Sequence, residues 1–365
     1  MSYNDLTSKK LNPLSEELDH IMAYTGNLWE ELRGERLFIT GGTGFFGCWL
    51  LESFAWANKC LNLNASALVL TRDYNAFKNK MPHLASDPSI QFQIGDIVNF
   101  TFPKGTFPFI IHAATPSDAA LCRKNPLLLL DTIVEGTRHT LDFAVHSGTK
   151  KFLFTSSGAV YGKQPHQTTH IPESHCGSPD LTDQSAAYGE GKRTAELFCM
   201  LYSRKYNIEP KIARCFAFVG PYLPLDMHYA AGNFIRDGLR GGPIVVKGDG
   251  TPYRSYLYAA DLAVWLWTIL LKGKPCRPYN VGSEEAITVA DLAKTVADCF
   301  DGQINVEIAK PPNSEELPER YVPSTKRVQE EFGVRQFIDL KTGIKKTISI
   351  LRKNRDGYFE NPTAI

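Results

Sequence analysis

Leu37-Phe38-Ile39-Thr40-Gly41-Gly42-Thr43-Gly44-Phe45-Phe46-Gly47 is the stretch of sequence that decides the fold. Its first four residues are a short apolar run that predicts a buried strand. The turn that follows is spaced Gly-x-x-Gly-x-x-Gly, and a helical pattern runs on from Cys48 to Ala57. Such a turn lets backbone N–H groups approach a pyrophosphate, although it can equally close an ordinary strand–helix unit.

Further apolar runs repeat this strand–helix alternation along the chain. They lie at residues 67–70, 109–114 and 152–155, with a helical segment at about 127–146 between the last two. Alternating strands and helices predict βαβ units in a doubly wound parallel sheet of the α/β class. We therefore expect a sheet domain over residues 34–215, preceded by a helical extension (1–33). Gly- and Pro-rich turns predict a smaller mixed α/β lobe at 216–350, interleaved with the first domain, and a tail at 351–365.

The composition excludes several classes of protein. The 365 residues carry 40 basic and 39 acidic side chains, a net charge of +1, so we expect no nucleic-acid partner. No apolar run reaches the ~18 residues of a membrane span, and the acidic first 30 residues do not resemble a signal peptide. The eight cysteines form no Cys-x-x-Cys pair, which favours reduced thiols in a cytoplasmic protein and no metal site.

The end of the second predicted strand bears on the choice of dinucleotide. An acidic residue there would accept a hydrogen bond from a ribose 2′-hydroxyl and favour NAD. This chain has Thr71 in that place, followed by Arg72. An arginine can hold the 2′-phosphate of NADP or stack on adenine in an NAD site, so either cofactor fits the pattern.

A second motif supplies hydride-transfer chemistry. Tyr188 and Lys192 are four residues apart, which places both on one face of a helix. A lysine ammonium near a phenol lowers the pKa of the phenol, so that the tyrosine can take a proton from a substrate hydroxyl. Upstream, Ser156 and Ser157 end the strand at 152–155, where a hydroxyl can bind the same substrate oxygen.

Taken together, these motifs are similar to those of the extended short-chain dehydrogenase/reductases, in the NAD-dependent nucleotide-sugar epimerase/dehydratase group. The resemblance covers residues 36–350 and implies a Rossmann sheet, a bound NAD or NADP, and a homodimer paired through helices near 127–146 and 187–205. It implies catalysis by Ser157, Tyr188 and Lys192. The cofactor contacts that it implies are Gly41, Thr43, Gly44, Phe45, Phe46, Gly47, Arg72, Asp96, Ile97, Ala113, Ala114, Tyr188 and Lys192.

The resemblance also implies a nucleotide-sugar substrate held mainly by the C-terminal lobe. Arg254 is similar to the family's arginine on the nucleotide diphosphate. Asn233 resembles a diphosphate contact in UDP-glucuronate decarboxylases, but it could instead cap the following helix. The substrate contacts implied are Thr115, Ser156, Ser157, Asn233, Arg254 and Arg320.

One departure from the family pattern narrows the reaction. Dehydratases of the family have Thr-Asp-Glu where this chain has Ser157-Gly158-Ala159, and decarboxylases keep the Glu. Glycine and alanine can neither protonate a leaving hydroxyl nor remove a C5 proton. The sequence therefore predicts a 4-epimerase or a ketosugar oxidoreductase. A 4,6-dehydratase and a dinucleotide-binding regulator with vestigial chemistry are the alternatives.

Overall fold

The computed structural model describes residues 12–115, 124–227, 229–312 and 317–353. Its strands are β1 (Arg36–Thr40), β2 (Ser66–Thr71), β3 (Ile90–Ile94), β4 (Phe109–His112), β5 (Lys151–Ser157), β6 (Glu209–Cys215), β7 (Phe218–Val219), β8 (Ile244–Val246), β9 (Tyr253–Arg254), β10 (Leu257–Tyr258), β11 (Pro278–Val281), β12 (Ile287–Thr288), β13 (Val306–Ile308) and β14 (Arg320–Tyr321). Its α-helices are α1 (Ser15–Thr25), α2 (Phe45–Leu61), α3 (Tyr74–Lys80), α4 (Pro82–Ala85), α5 (Pro126–His146), α6 (Ala186–Tyr206), α7 (Ala230–Leu239), α8 (Ala259–Lys272), α9 (Val289–Ala297), α10 (Lys326–Phe332) and α11 (Leu340–Lys353).

The large sheet has seven strands in the order β11-β6-β5-β4-β1-β2-β3, and every neighbouring pair is parallel. This confirms the predicted doubly wound α/β fold. The strand order reverses between β1 and β4, where Thr40 pairs with His112. Ligands of such sheets bind at the carboxyl ends of the strands beside this switch point.

Two cores lie on the two faces of the sheet because side chains alternate along each strand. On β1, Leu37 and Ile39 pack into a core that includes α2 and α8, whereas Phe38 packs into a core with residues of α5 and α6. The layers are therefore helix, sheet and helix, and the helices that carry the predicted catalytic residues lie on the Phe38 side.

The described part of the N-terminal extension packs on the body of the protein. Leu14, Leu18 and Ile21 are fully or almost fully buried, and α1 lies against α8. A 3₁₀ helix at Gly26–Leu32 follows and buries Leu28 and Leu32.

One strand from the segment expected for the smaller lobe lies in the large sheet, and the domain bounds stay a prediction. β11 comes from the segment expected for the lobe, yet it forms the edge of the large sheet next to β6. A three-stranded sheet in the order β12-β9-β14 places Arg254 beside Tyr321. The predicted strand at 109–114 is shorter than expected, because β4 ends at His112 where its partner β1 also ends.

The composition led to expectations about the cysteines, about metal sites and about membrane spans, which can be examined in the described residues. The seven cysteines in the described part of the chain are free thiols, and Cys122 lies outside it. Within the described ranges no group of three or more His, Cys, Asp and Glu is arranged to hold a metal ion. No helix among the described residues is both long enough and apolar enough to span a membrane.

Candidate active site

The glycine loop lies where β1, β4 and α2 meet. A Cβ atom on Gly41 would lie 2.5 Å from the carbonyl carbon of Ala113, and Gly41 has a positive φ of 71°. A Cβ on Gly47 would lie 2.3 Å from Gly42. Only glycine therefore allows the loop to fold this tightly against Ala113 and the first turn of α2.

The same loop fits a dinucleotide pyrophosphate. Among the described residues other than its chain neighbours, the only atom within 4 Å of a Cβ built on Gly44 is the Gly41 carbonyl oxygen, at 3.4 Å, so this part of the structure leaves open space in front of Gly44. α2 begins at Phe45, and the first N–H groups of a helix have no partner within it. Open space, unpaired N–H donors and the positive end of the helix dipole suit an anionic ligand. Gly41, Thr43, Gly44, Phe45, Phe46 and Gly47 all belong to this loop and helix start.

The other predicted cofactor contacts lie along the same edge of the sheet. Asp96 and Ile97 follow β3, and the N–H of Gly95 donates to the carbonyl of Thr71 at 2.9 Å, which keeps this segment next to Arg72. The Asp96 carboxylate accepts the N–H of Val98 at 3.1 Å. Ala113 and Ala114 follow β4, opposite the glycine loop.

A buried histidine fixes the end of β4, and the sequence alone did not assign it a role. The Nδ1 of His112 lies 2.7 Å from the Thr40 hydroxyl, and its Nε2 lies 3.0 Å from the Thr137 hydroxyl. Burial lowers the pKa of His112 to about 3, and the nearby charge of Lys192 adds to this effect. The neutral ring therefore ties β1, β4 and α5 together behind Ala113.

Tyr188, Lys192 and Ser157 come together at the ends of β5 and α6. Lys192 is buried, and its ammonium donates to the Thr115 hydroxyl and to the Thr155 carbonyl, both at 2.7 Å. Ser157 ends β5, and its hydroxyl is close enough to the Tyr188 phenol to favour the ionised form of that phenol. The side chain of Thr115, predicted to bind substrate, holds Lys192 in this structure and donates to the Ala114 carbonyl.

The pKa of Tyr188 is raised in the structure, whereas the sequence pattern predicts that Lys192 lowers it. Burial raises the pKa of Tyr188 above its usual range, and the hydrogen bond with Ser157 opposes this rise. Burial lowers the pKa of Lys192 to about 8, so the ammonium remains mostly charged at neutral pH. The Lys192 ammonium donates to Thr115 and to the Thr155 carbonyl. Burial therefore opposes formation of the predicted phenolate.

Ser156 and Ser157 point to opposite faces of β5. The Ser156 hydroxyl is buried and donates to the Glu196 carboxylate at 2.6 Å. Glu196 also forms a two-point ion pair with Arg214, with N···O distances of 2.7 and 3.0 Å. Ser156 thus joins a buried network between β5, α6 and β6, and its predicted contact with substrate stays a prediction.

Tyr321 is a residue of the site that the sequence did not single out. Its buried hydroxyl lies 3.4 Å from the Ser157 hydroxyl, and burial raises the pKa of Tyr321 to about 12. A Cβ on Gly158 would lie 2.8 Å from that hydroxyl and 2.7 Å from the ring of Phe216. The space beside residue 158 is therefore filled by the side chains of Phe216 and Tyr321.

A cleft of about 400 Å³ next to Tyr321 contains two of the predicted substrate contacts, Arg254 and Arg320. Arg254 donates to the Tyr253 carbonyl at 2.8 Å and lies 3.5 Å from Glu319. The Arg320 guanidinium lies 4.2 Å from the centre of the Tyr253 ring. The lining residues are Gly162, Lys163, Gln164, His166, Arg254, Leu317, Glu319, Arg320 and Tyr321. This excess of cationic side chains suits an anionic ligand.

Asn233 does not cap a helix, so that alternative is wrong. α7 begins at Ala230, with Tyr229 in the capping position, and Asn233 lies in the second turn. Its side-chain amide donates to the carbonyls of Leu225 and Met227, both at 2.7 Å, and so fixes the preceding loop. Its predicted contact with the diphosphate stays a prediction.

Comparisons with known proteins agree with this architecture. The family model described as "NAD dependent epimerase/dehydratase family" matches residues 37–282. UDP-glucuronic acid decarboxylase 2 of Arabidopsis thaliana is 30% identical over 354 residues, which is 96% of this chain and 76% of the relative. UDP-glucuronic acid decarboxylase 6 of the same plant is 28% identical over 344 residues, which is 94% of this chain and 94% of the relative.

Solved structures share the fold. A UDP-glucose 4-epimerase from Thermotoga maritima, solved with UDP-glucose, has a TM-score of 0.72 at 22% identity and covers 88% of this chain and 99% of its own. A dTDP-glucose 4,6-dehydratase from Streptomyces venezuelae, solved with NAD, has a TM-score of 0.73 at 23% identity, with coverages of 89% and 99%.

The fold and the site together define an NAD(P)-dependent enzyme of the short-chain dehydrogenase/reductase type. The chain belongs to the NAD-dependent epimerase/dehydratase family.

Proposed function

We propose that this enzyme oxidises or reduces a nucleotide-activated sugar at C4, as a 4-epimerase or as a ketosugar oxidoreductase. The observation that carries the proposal is the grouping of Tyr188, Lys192 and Ser157 around a site in which Gly158 faces Phe216 and Tyr321. The hydride-transfer groups are complete, whereas no side chain at positions 158 and 159 can act as an acid or a base.

Each residue has a defined part in this chemistry. Ser157 and Tyr188 would bind the C4 hydroxyl, and Tyr188 would take its proton as general base. NAD(P), when bound, supplies a hydride acceptor or donor. Lys192, held by Thr115 and the Thr155 carbonyl, would keep a positive charge near these groups, and a nearby cation favours the ionised form of a phenol.

Glu173 and His175, in the loop after Ser157, are the candidates to replace the missing acids. Glu173 is buried, and its carboxylate accepts the N–H of Asn280 at 2.9 Å and lies 3.7 Å from Arg327. The ring of His175 packs near Tyr161, with the ring centres 6.1 Å apart. These contacts join neither group to Ser157 or Tyr188. We therefore do not favour the 4,6-dehydratase alternative.

Decarboxylation is a second candidate because of the relatives. Proteins named UDP-glucuronic acid decarboxylase match this chain at up to 30% identity over nearly its whole length. Oxidation at C4 of a sugar acid gives a β-keto acid, which loses CO₂ readily. Ala159, in place of the glutamate that decarboxylases of the family retain, argues against this reaction.

A panel of nucleotide sugars tests the proposal. The chain would be incubated with UDP-, dTDP-, GDP- and CDP-hexoses, with their 4-keto forms and with UDP-glucuronate, and the products read by NMR. A 4-epimer or a reduced ketosugar supports the proposal, and a pentose product from UDP-glucuronate favours decarboxylation. Cofactor binding without any product would support the non-catalytic regulator.

We further propose that two copies of the chain pair through α5 and α6. These helices pack on each other, with Ile133 of α5 against Gly191 of α6. Leu197 and Leu201 lie one turn apart on α6 and are 57% and 49% exposed, and Leu128 of α5 is 48% exposed. A paired four-helix interface would bury these leucines.

A double substitution tests the dimer. We expect Leu197→Glu combined with Leu201→Glu to convert the dimer to a monomer, because two buried charges per subunit would face their copies. Light scattering after size-exclusion chromatography gives the mass. As a control, Ile308→Glu changes a side chain of similar exposure (44%) on β13, far from these helices, and should leave the mass unchanged. A wild-type monomer, or a dimer that survives the double substitution, would contradict this interface.

A further inference from the structure

A second cleft, of about 220 Å³, lies at the end of β2 beside the glycine loop. Thr43 of the loop lines one side of this cleft. Arg72 and Lys80, the last residue of α3, also line it. The remaining lining residues are Thr71, Asp73, Ala76 and Phe77. In a Rossmann sheet this position, past the end of the second strand, receives the adenosine ribose of the dinucleotide.

The charges that face the cleft are mainly positive. Arg72 is exposed and Lys80 is half-buried, and neither forms an ion pair with any residue that the structure describes. The one carboxylate, that of Asp73, accepts the N–H of Ala76 at 2.9 Å as the cap of α3. Two cations therefore remain to bind a ligand.

The last residue of β2, where a carboxylate would recognise a free ribose, is not acidic. Thr71 ends β2, and its hydroxyl lies 3.3 Å from the N–H and from the carbonyl oxygen of Asp73. A ribose 2′-hydroxyl is recognised by a carboxylate at this place, and threonine cannot supply one. A 2′-phosphate carries about −1.5 to −2 charges at pH 7 and requires cationic donors instead.

We propose that Arg72 and Lys80 together form a binding site for the 2′-phosphate of NADP, and that the enzyme uses NADP in preference to NAD. Arg72 supplies a planar guanidinium that can bind two phosphate oxygens, and Lys80 supplies a point charge from the last turn of α3. The preference concerns the cofactor alone. It does not depend on which sugar is bound or on which reaction follows.

Nucleotide binding by calorimetry tests this site without turnover. The probes are 2′,5′-ADP, which carries the 2′-phosphate, and 5′-AMP, which does not. We expect the full chain to bind 2′,5′-ADP at least about ten-fold more tightly than 5′-AMP. Arg72→Ala and Lys80→Ala should each remove most of this difference and leave 5′-AMP binding nearly unchanged. Lys78→Ala is the matched control, because Lys78 lies on the same helix, is exposed and does not line the cleft.

Several results would overturn the site. Equal affinity of the wild-type chain for the two probes, or no binding of 2′,5′-ADP, would exclude a 2′-phosphate site. Equal weakening of both probes by Arg72→Ala would show that Arg72 stacks on adenine. A Lys80→Ala variant that behaves like Lys78→Ala would remove Lys80 from the proposal. None of these outcomes bears on the sugar reaction, which the nucleotide-sugar panel tests separately.

Discussion

Replacing Tyr188 by phenylalanine is expected to lower turnover at least about 10²-fold, the lower end of the loss when a general base is removed. The substitution deletes one oxygen from a half-buried ring on α6 and leaves Lys192 and Ser157 in place. The fold and cofactor affinity should therefore be unchanged. Steady-state kinetics with the sugar identified by the panel, together with calorimetric titration of the cofactor, measure the two properties.

Tyr202→Phe serves as the control for this substitution. Tyr202 lies on the same helix, but its hydroxyl donates to Asp142 of α5 and not to the site. We expect this variant to keep wild-type turnover. Near-normal kinetics in the Tyr188→Phe enzyme would show that another group takes the substrate proton, and the assignment of the general base would then be wrong.

Replacing Gly158 by aspartate is expected to destabilise the protein and not to create a dehydratase. The new Cβ would lie 2.7 Å from the Phe216 ring and 2.8 Å from the Tyr321 hydroxyl, with the carboxylate still to be placed. Overpacking of this kind costs about 1–3 kcal/mol of unfolding free energy. Urea denaturation measures the loss.

Gly248→Asp is the matched control for Gly158→Asp. No atom of the described chain, apart from the two neighbours of Gly248, lies within 4 Å of a Cβ built on this residue. Its backbone is not in the left-handed region, so the change there should stay within about 0.5 kcal/mol. If the two variants are equally stable, the space beside Gly158 is larger than the structure indicates. The absence of an acidic residue at position 158 could then not be explained by lack of space.

The parts of the fold and site that the sequence predicted are those set by local pattern. The buried apolar runs of the parallel sheet and the glycine turn at Gly41 are contiguous in the chain. Tyr188 and Lys192 share a helix face through a spacing of four residues. Each of these signals lies within a short stretch of the chain. None of them depends on how distant segments pack.

The parts that the sequence did not predict depend on contacts between distant segments. Tyr321 reaches Ser157 because β14 pairs with β9, and strands of two residues have no periodicity to recognise. The hydrogen bond from Lys192 to the Thr115 hydroxyl likewise joins residues 77 positions apart. Ser156 and Ser157 are adjacent in the sequence, but neighbouring residues of a strand face opposite sides, so their different partners follow from the sheet and not from the motif.

The central claim is that the enzyme moves hydride at C4 and performs no elimination across C5 and C6. The most direct measurement is to incubate the wild-type chain with each nucleotide hexose in D₂O and to follow the sugar protons by NMR. The claim predicts a change confined to C4, with the C5 proton retained and no deuterium at C5 or C6. A 4-keto-6-deoxy product with deuterium at C5 and a methyl group at C6 would establish dehydration and contradict it.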